Sequence, residues 1–89
     1  MNVIDLAKSV SDFAIVGEGN VSVRKGNNFL IKASGTELDT LTYEDLVECN
    51  LQGDPLEGQS KKPSMEVSFH AWILKNFDEI NYVCHTHPV

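Results

Sequence analysis

Basic residues and long apolar segments are scarce in this sequence, and each scarcity excludes a class of protein. Seven lysines and arginines stand against 13 acidic residues, which gives a net charge of −6 and no basic patch of the kind that binds nucleic acid. No apolar run approaches the roughly 20 residues that span a bilayer, and the first residues lack the basic and apolar segments of a secretory signal. We therefore expect no nucleic-acid partner and no membrane partner.

Cysteine is also rare. Cys49 and Cys84 lie far apart and form no C-x-x-C pair, so the sequence indicates neither a disulfide framework nor a redox motif. Reduced thiols and the missing signal segment predict a cytoplasmic protein. With 89 residues, 42% of them hydrophobic and 22% charged, the sequence is typical of at most one small globular domain.

The periodicity of the apolar residues predicts elements in the order α-β-β-β-α-β. Apolar residues at steps of three and four predict a first helix over residues 3–14. Segments in which apolar and polar residues alternate are predicted strands: 21–24, 29–32 and 47–51. The Gly- and Asn-rich turn between the first two makes that pair antiparallel. The remaining predictions are a capped helical turn over 42–46, an exposed loop over 52–62, a second helix opening at 63–66, and a last strand over 82–87.

His85 and His87 form the clearest chemical feature of the sequence. Side chains two residues apart on a strand project to the same face, so both imidazoles can meet one ion. Glu66 stands at the start of the helix that leads to this strand, and it supplies a third possible ligand for zinc, which takes about four donors including water. Taken separately, H-x-H is also typical of a half-buried polar strand, and an acidic residue at a helix start is common because the helix dipole favours it.

A second group of small or polar residues stands at turns, where backbone N–H groups, hydroxyls or an amide can converge on a phosphate. Its members are Gly19, Asn20, Ser34, Gly35 and Ser64. Each one alone is more typical of a turn or a helix cap than of a phosphate site, and the group has no Walker-type spacing. Only their joint order along the chain is informative.

Four motifs in order resemble the class II aldolase/adducin family: GNVSVR at 19–24, LIKASG at 30–35, KPSME at 62–66 with Phe69-His70, and VCHTH at 83–87. The resemblance covers almost the whole chain and identifies residues 1–89 as the N-terminal part of such a domain. It implies an α/β fold, a three-layer α/β/α arrangement around a mostly antiparallel central sheet, truncated in this chain. It also implies a homo-oligomer, a tetramer in the family, and a divalent metal ion, usually Zn²⁺.

The resemblance further implies a role for each matching residue. His85 and His87 correspond to zinc ligands, and Glu66 corresponds to the catalytic acid/base carboxylate that also touches the metal. Gly19, Asn20, Ser34, Gly35 and Ser64 correspond to the positions that bind the phosphate of the substrate. The implied activity is that of a zinc-dependent lyase, which cleaves a ketose phosphate to dihydroxyacetone phosphate and an aldehyde.

The sequence departs from the family pattern in two ways. Met65 stands where many relatives carry a second serine, so one hydroxyl contact to phosphate is lost and the exact sugar phosphate stays open. The family's third zinc histidine, and groups contributed late in its chain, have no counterpart in residues 1–89. We therefore expect little or no turnover from these 89 residues alone.

Three alternatives share the same motifs. An L-ribulose-5-phosphate 4-epimerase breaks and remakes a bond by the same chemistry, but that branch characteristically carries aspartate where this chain has Glu66. A dehydratase that acts on methylthioribulose phosphate is the second alternative. The third is a non-catalytic, adducin-like interaction module, against which the joint presence of Glu66, His85 and His87 argues.

Overall fold

The computed structural model describes residues 2–11 and 19–85, and its elements follow the predicted order. Helix α1 spans Val3–Ser11, and the strands β1, β2 and β3 span Asn20–Lys25, Asn28–Lys32 and Leu46–Asn50. Helix α2 spans Val67–Asn76, and strand β4 spans Tyr82–His85. The predicted end of the first helix, over residues 12–14, and the predicted end of the last strand, including His87, lie outside the described residues.

The four strands form one antiparallel sheet in the order β3-β2-β1-β4. A tight turn at Gly26 and Asn27 connects β1 to β2, and it fits this sequence because Gly26 has a φ of +59°, which costs glycine little. Strand β1 is central, since it pairs with both β2 and β4. Its register with β4 places Asn20 opposite His85.

Each face of the sheet is covered by one of the described helices. Adjacent residues of β1 point to opposite faces, so Val21 packs with α1 while Ser22 points toward α2. The core beneath α1 contains Val3, Ala7, Val21, Leu38 and Leu41. The core beneath α2 contains Phe29, Ile31, Ala33, Val47, Cys49, Ala71, Leu74 and Val83. This arrangement confirms the α/β fold with helices on both sides of an antiparallel sheet.

Helix α2 begins later than the sequence predicts, because the residues before it are bound to the sheet. Pro63 forms a β-bridge with Ala33, and the N–H of Ser64 donates to the carbonyl oxygen of Lys32 at 2.9 Å. These contacts hold Pro63 and Ser64 against the sheet, and a turn at Met65 and Glu66, closed by the N–H of Val67 donating to the Ser64 carbonyl at 3.1 Å, then leads into the helix. The hydroxyl of Ser64 still accepts the N–H of Glu66 at 3.2 Å, so it caps the turn that leads into the helix.

The capped turn predicted before the third strand is confirmed as a 3₁₀ turn over Tyr43–Asp45. The N–H of Thr42 donates to the Asp45 carboxylate at 3.0 Å, and the N–H of Asp45 donates back to the Thr42 carbonyl at 2.9 Å. The loop over 52–62 is mostly exposed, as predicted. Within the described part of the chain, neither helix is long and apolar enough to cross a membrane.

Candidate active site

The start of α2 and the end of β4 bring Glu66 and His85 into direct contact. The carboxylate oxygen Oε1 of Glu66 lies 2.8 Å from Nδ1 of His85, and both side chains are partly exposed. Partial burial raises the pKa of the Glu66 carboxyl, but its hydrogen bond with His85 and the attraction of the imidazole charge outweigh burial, so the pKa lies below its usual value. Glu66 is therefore an ionised carboxylate at neutral pH.

Asn20, the first residue of β1, connects this strand to the residues around Glu66 and His85. Its side-chain Nδ2 donates to Oγ of Ser64 at 2.5 Å, and both residues are buried. The Asn20 amide also contributes to the low pKa of Glu66. Its Oδ1 is buried and has no hydrogen-bond partner among the described residues. Asn20 thus contacts the residues that precede α2, next to its strand partner His85.

The turn containing Ser34 and Gly35 lies beside the residues that lead into α2. The N–H of Ser34 donates to the carbonyl of Lys62 at 2.9 Å, in the same bridge that joins Ala33 to Pro63. The main-chain N–H groups of Ser34 and Ser64 are therefore used within the fold. The Ser34 side chain is exposed, and Gly35 adopts a φ of +82°, a conformation that side chains with a Cβ rarely take.

Of the five predicted phosphate-binding residues, the structure joins Asn20 to Ser64 directly, and it joins the Ser34 turn to the segment before Ser64 through the main chain. Gly19 immediately precedes β1, with a φ of +103°. The side-chain hydroxyl of Ser64 keeps its own hydrogen for donation, because its oxygen acts as acceptor in both of its bonds.

Lys32 is a buried cation at this corner that the sequence did not single out. Its Nζ donates to the Thr36 carbonyl at 2.5 Å and lies 3.4 Å from the Ala33 carbonyl, so it stabilises the turn that carries Ser34. Burial lowers the pKa of Lys32, while the negative charge of Glu66 acts in the opposite direction. The only signal in the sequence was a lysine directly before the Ala33-Ser34-Gly35 turn.

A buried pair, Ser22 and His70, was also missed by the sequence reasoning as part of the site. Ser22 Oγ lies 2.6 Å from Nδ1 of His70, and both side chains are fully buried. The other ring nitrogen of His70, Nε2, lies 3.9 Å from Glu66 Oε1 and has no hydrogen-bond partner among the described residues. Burial lowers the pKa of His70 to about 4, so the imidazole is neutral. The spacing of four residues between Glu66 and His70 on a helix was the available signal.

The described residues contain part of the predicted metal site. Glu66 and His85 meet, and they supply one oxygen and one nitrogen donor of the types that zinc accepts. The third predicted ligand, His87, lies outside the described residues. Within residues 2–11 and 19–85, no group of three His, Cys, Asp or Glu side chains is placed to hold a metal ion. The donors that are described fit a metal ion and need His87, or another group, to complete the set.

The chain is similar to proteins of known family. The model of the family described as "Class II Aldolase and Adducin N-terminal domain" matches residues 6–89. An L-fuculose phosphate aldolase of Methanococcus maripaludis is 43% identical over 76 residues, which cover 84% of this chain and 41% of the relative. A methylthioribulose-1-phosphate dehydratase of Pseudoalteromonas translucida is 41% identical over 71 residues, which cover 80% of this chain and 33% of the relative.

Solved structures share the fold. The crystal structure of an L-fuculose-1-phosphate aldolase from Thermus thermophilus superposes with a TM-score of 0.78 at 29% identity, over 96% of this chain and 42% of that one. The chain therefore spans about two fifths of the length of the aldolases that it matches.

Proposed function

Because the chain belongs to the class II aldolase and adducin N-terminal domain family, we propose that residues 1–89 are the N-terminal part of an aldolase-type lyase. Its reaction is the cleavage of a ketose phosphate to dihydroxyacetone phosphate and an aldehyde, in line with the names of its aldolase relatives. The observation that carries the proposal is the contact of 2.8 Å between Glu66 and His85, beside the buried pair Asn20 and Ser64. A cytoplasmic location and assembly into a homo-oligomer belong to the same proposal.

In this proposal Glu66, His85 and His87 hold a divalent metal ion, with zinc as the expected metal. Imidazole nitrogens and a carboxylate oxygen are ordinary zinc ligands, and an open position on the ion remains for substrate. When bound, the ion supplies Lewis-acid polarisation of the substrate's oxygens, which stabilises the electron pair left when the carbon–carbon bond breaks.

Glu66 is the proposed acid/base residue. Its carboxylate is ionised and partly exposed, so it can accept a proton from a substrate hydroxyl. The side-chain amide of Asn20, the first residue of β1, also hydrogen-bonds to this carboxylate and helps to hold it in place. A general base must lie within hydrogen-bond reach of its proton, and the contact with His85 puts Glu66 beside the proposed metal position.

The proposed phosphate site consists of Gly19, Asn20, Ser34, Gly35 and Ser64. The hydroxyls of Ser34 and Ser64 are its best donors, because the main-chain N–H groups of the same two residues are already bonded within the fold. Anchoring the phosphate at this corner holds the reacting carbons near Glu66, which lies two residues from Ser64.

A chimera tests this function directly. Residues 1–89 replace the matching segment of the Methanococcus maripaludis aldolase, so that a complete family domain carries this chain's Glu66, His85 and His87. We expect the chimera to release dihydroxyacetone phosphate from a ketose 1-phosphate and to lose this activity in the presence of a chelator.

Within the chimera, Glu66→Gln should lower the rate by a factor of about 100 or more, since the amide cannot accept the proton. The same change at Glu57, an exposed carboxylate in the loop before α2, is the matched control and should leave the rate unchanged. Conversion of L-ribulose 5-phosphate without cleavage of any ketose 1-phosphate would replace the lyase with an epimerase, and dehydration of methylthioribulose 1-phosphate would replace it with a dehydratase. A folded, zinc-loaded chimera that acts on none of these would favour the interaction module.

A further inference from the structure

His70 is a fully buried imidazole that is bonded on one side only. Its Nδ1 is 2.6 Å from Ser22 Oγ, while Nε2 is buried and lacks a hydrogen-bond partner among the described residues. A buried polar atom without a partner lowers stability, so its presence calls for an explanation. Among the described residues, the Glu66 carboxylate lies near Nε2, with its Oε1 3.9 Å away.

The surroundings of the ring select one of its two neutral tautomers. A carboxylate has only acceptor atoms, so Glu66 favours a hydrogen on Nε2 and opposes a lone pair there. With the hydrogen on Nε2, Nδ1 becomes an acceptor, and the Ser22 hydroxyl is able to rotate and donate to it. Both neighbours are therefore satisfied by the tautomer in which Ser22 donates to His70 and His70 faces Glu66 with an N–H.

We propose that His70 is a positioning residue, which holds the Glu66 carboxylate through its Nε2–H while Ser22 fixes the tautomer of the ring. Oε1 of Glu66 lies between two imidazoles, 2.8 Å from His85 and 3.9 Å from His70. A movement of about 1 Å of the partly exposed carboxylate brings it within hydrogen-bond distance of Nε2. That Glu66 is an acid/base residue and a metal ligand rests on the proposed function. The tautomer of His70 does not depend on it.

The packing around the ring supports a fixed orientation. The ring of Phe69 packs edge-on against both imidazoles, with centroids 5.9 Å from His70 and 6.1 Å from His85. His70 itself has no exposed surface, so the ring cannot turn toward solvent to satisfy Nε2. Glu66 is the movable partner, since about a third of its side chain is exposed.

The first test reads the tautomer of His70 in the metal-free 89-residue chain by two-bond ¹H–¹⁵N correlation of its ring nitrogens. We expect the hydrogen on Nε2 and an unprotonated Nδ1 at pH 7. Ser22→Ala should weaken this preference, because it removes the only described partner of Nδ1. A hydrogen on Nδ1 in the wild-type chain, with Ser22 as acceptor, would overturn the proposal whether or not the chain binds metal.

The second test compares two amides that each mimic one ring nitrogen. His70→Gln places an amide N–H near the position of Nε2, and His70→Asn places one near Nδ1. The measurement is Zn²⁺ affinity by competition with a chelating dye, alongside thermal unfolding of each variant. We expect His70→Gln to remain within about 3-fold of wild type and His70→Asn to bind Zn²⁺ about 10–100-fold more weakly at similar stability, as is typical when a partner of a metal ligand is lost.

Equal losses of Zn²⁺ affinity in both amide variants would contradict the proposal. If the wild-type chain binds no Zn²⁺, the metal site in the proposed function is contradicted. The tautomer of His70, read in the first test, then decides whether the proposal about His70 holds. The same holds if either variant does not fold, since the first test uses the wild-type ring.

Discussion

Cys49 and Cys84 carry the same thiol in opposite environments. Cys49 is fully buried in the core beneath α2, and burial raises its pKa from 9.0 to about 11, whereas Cys84 on β4 is exposed. Because the thiolate is the reactive form, the raised pKa alone lowers the reactive fraction of Cys49 about 100-fold. We expect one thiol to react rapidly with a maleimide in the native chain, and Cys49 to react only after denaturant is added.

Mass spectrometry of peptides from the labelled chain assigns each modification to its cysteine. The control is Cys84→Ser, which should leave no rapidly reacting thiol. Equal labelling rates of both cysteines without denaturant would show that the core beneath α2 is open.

Arg24 is the residue that joins the sheet to the end of α2. Its Nη2 donates to the carbonyls of Leu74, Phe77 and Ile80 at 2.7, 3.1 and 2.9 Å, and its Nε donates to Ile80 at 3.1 Å. The last carbonyls of a helix lack partners within it, and a cation beside them is favoured by the helix dipole. Replacement of Arg24 by Met should lower the free energy of unfolding by about 2 kcal/mol.

The neighbouring basic residue supplies the control for this prediction. Lys25 forms an exposed ion pair with Glu48 at 3.0 Å, and such pairs contribute little. Lys25→Met should therefore lower the free energy of unfolding by less than about 1 kcal/mol. Urea titration of wild type and both variants measures these differences. Equal costs for the two variants would mean that Arg24 does not hold the end of the helix.

At the scale of the elements, local patterns predict the order and type of the strands well. Alternation along β3 reflects one face that is more deeply buried than the other, and the Gly26-Asn27 turn fixes how β1 and β2 pair. The start of α2 was predicted too early, since the cap of Ser64 is local but the bonds from Ser64 to Lys32 and from Ser34 to Lys62 join distant segments. The spacing of apolar residues along the chain does not predict such hydrogen bonds between distant segments.

The 3₁₀ turn before β3 should give stability a dependence on pH. The pKa of Asp45 lies below 3.8, chiefly because its carboxylate accepts a hydrogen bond from Lys61 and also from the N–H of Thr42. A carboxyl whose pKa is lower in the folded state stabilises the fold above its unfolded pKa, and this contribution is lost as the pH falls through the folded value.

Asp45→Asn should thus lower the urea midpoint at pH 7, and the difference from wild type should shrink as the pH falls below 3.8. Asp39→Asn is the control, since Asp39 is an exposed aspartate outside the 3₁₀ turn. A difference between Asp45→Asn and wild type that stays constant from pH 7 to pH 2 would indicate that the carboxylate's charge plays no part.

At the scale of the whole molecule, the turn before α2 and the first half of α2 present an exposed apolar surface. Met65, Phe69 and Trp72 lie at spacings of four and three residues and are 93%, 51% and 59% exposed. Exposed apolar patches of this kind favour association. We expect the 89-residue chain to self-associate with rising concentration, and Trp72→Lys to weaken this association in sedimentation velocity.

Tyr43 offers a matched control, because it is also 59% exposed but lies on the 3₁₀ turn. Tyr43→Lys should leave the association unchanged. A monodisperse monomer at all concentrations, or equal effects of the two substitutions, would remove α2 as the associating surface.

The candidate site was predictable where the sequence carries chemistry in short motifs, and not where the fold joins distant segments. Glu66 and His85 were predicted to converge, and their side chains are in contact. The buried partnership of Ser22 and His70 joins residues 48 positions apart, and neither periodicity nor composition reports such a pairing. The inclusion of His87 in the site remains a prediction.

The central claim is that Glu66, His85 and His87 form one metal site, and a Zn²⁺ titration of the metal-free chain tests it most directly. We expect wild type to bind one Zn²⁺ weakly, because at most three protein ligands leave a position to water. The double variant His85→Ala, His87→Ala should bind at least about 100-fold more weakly while it retains the fold by circular dichroism. The same affinity for wild type and the double variant would contradict the claim.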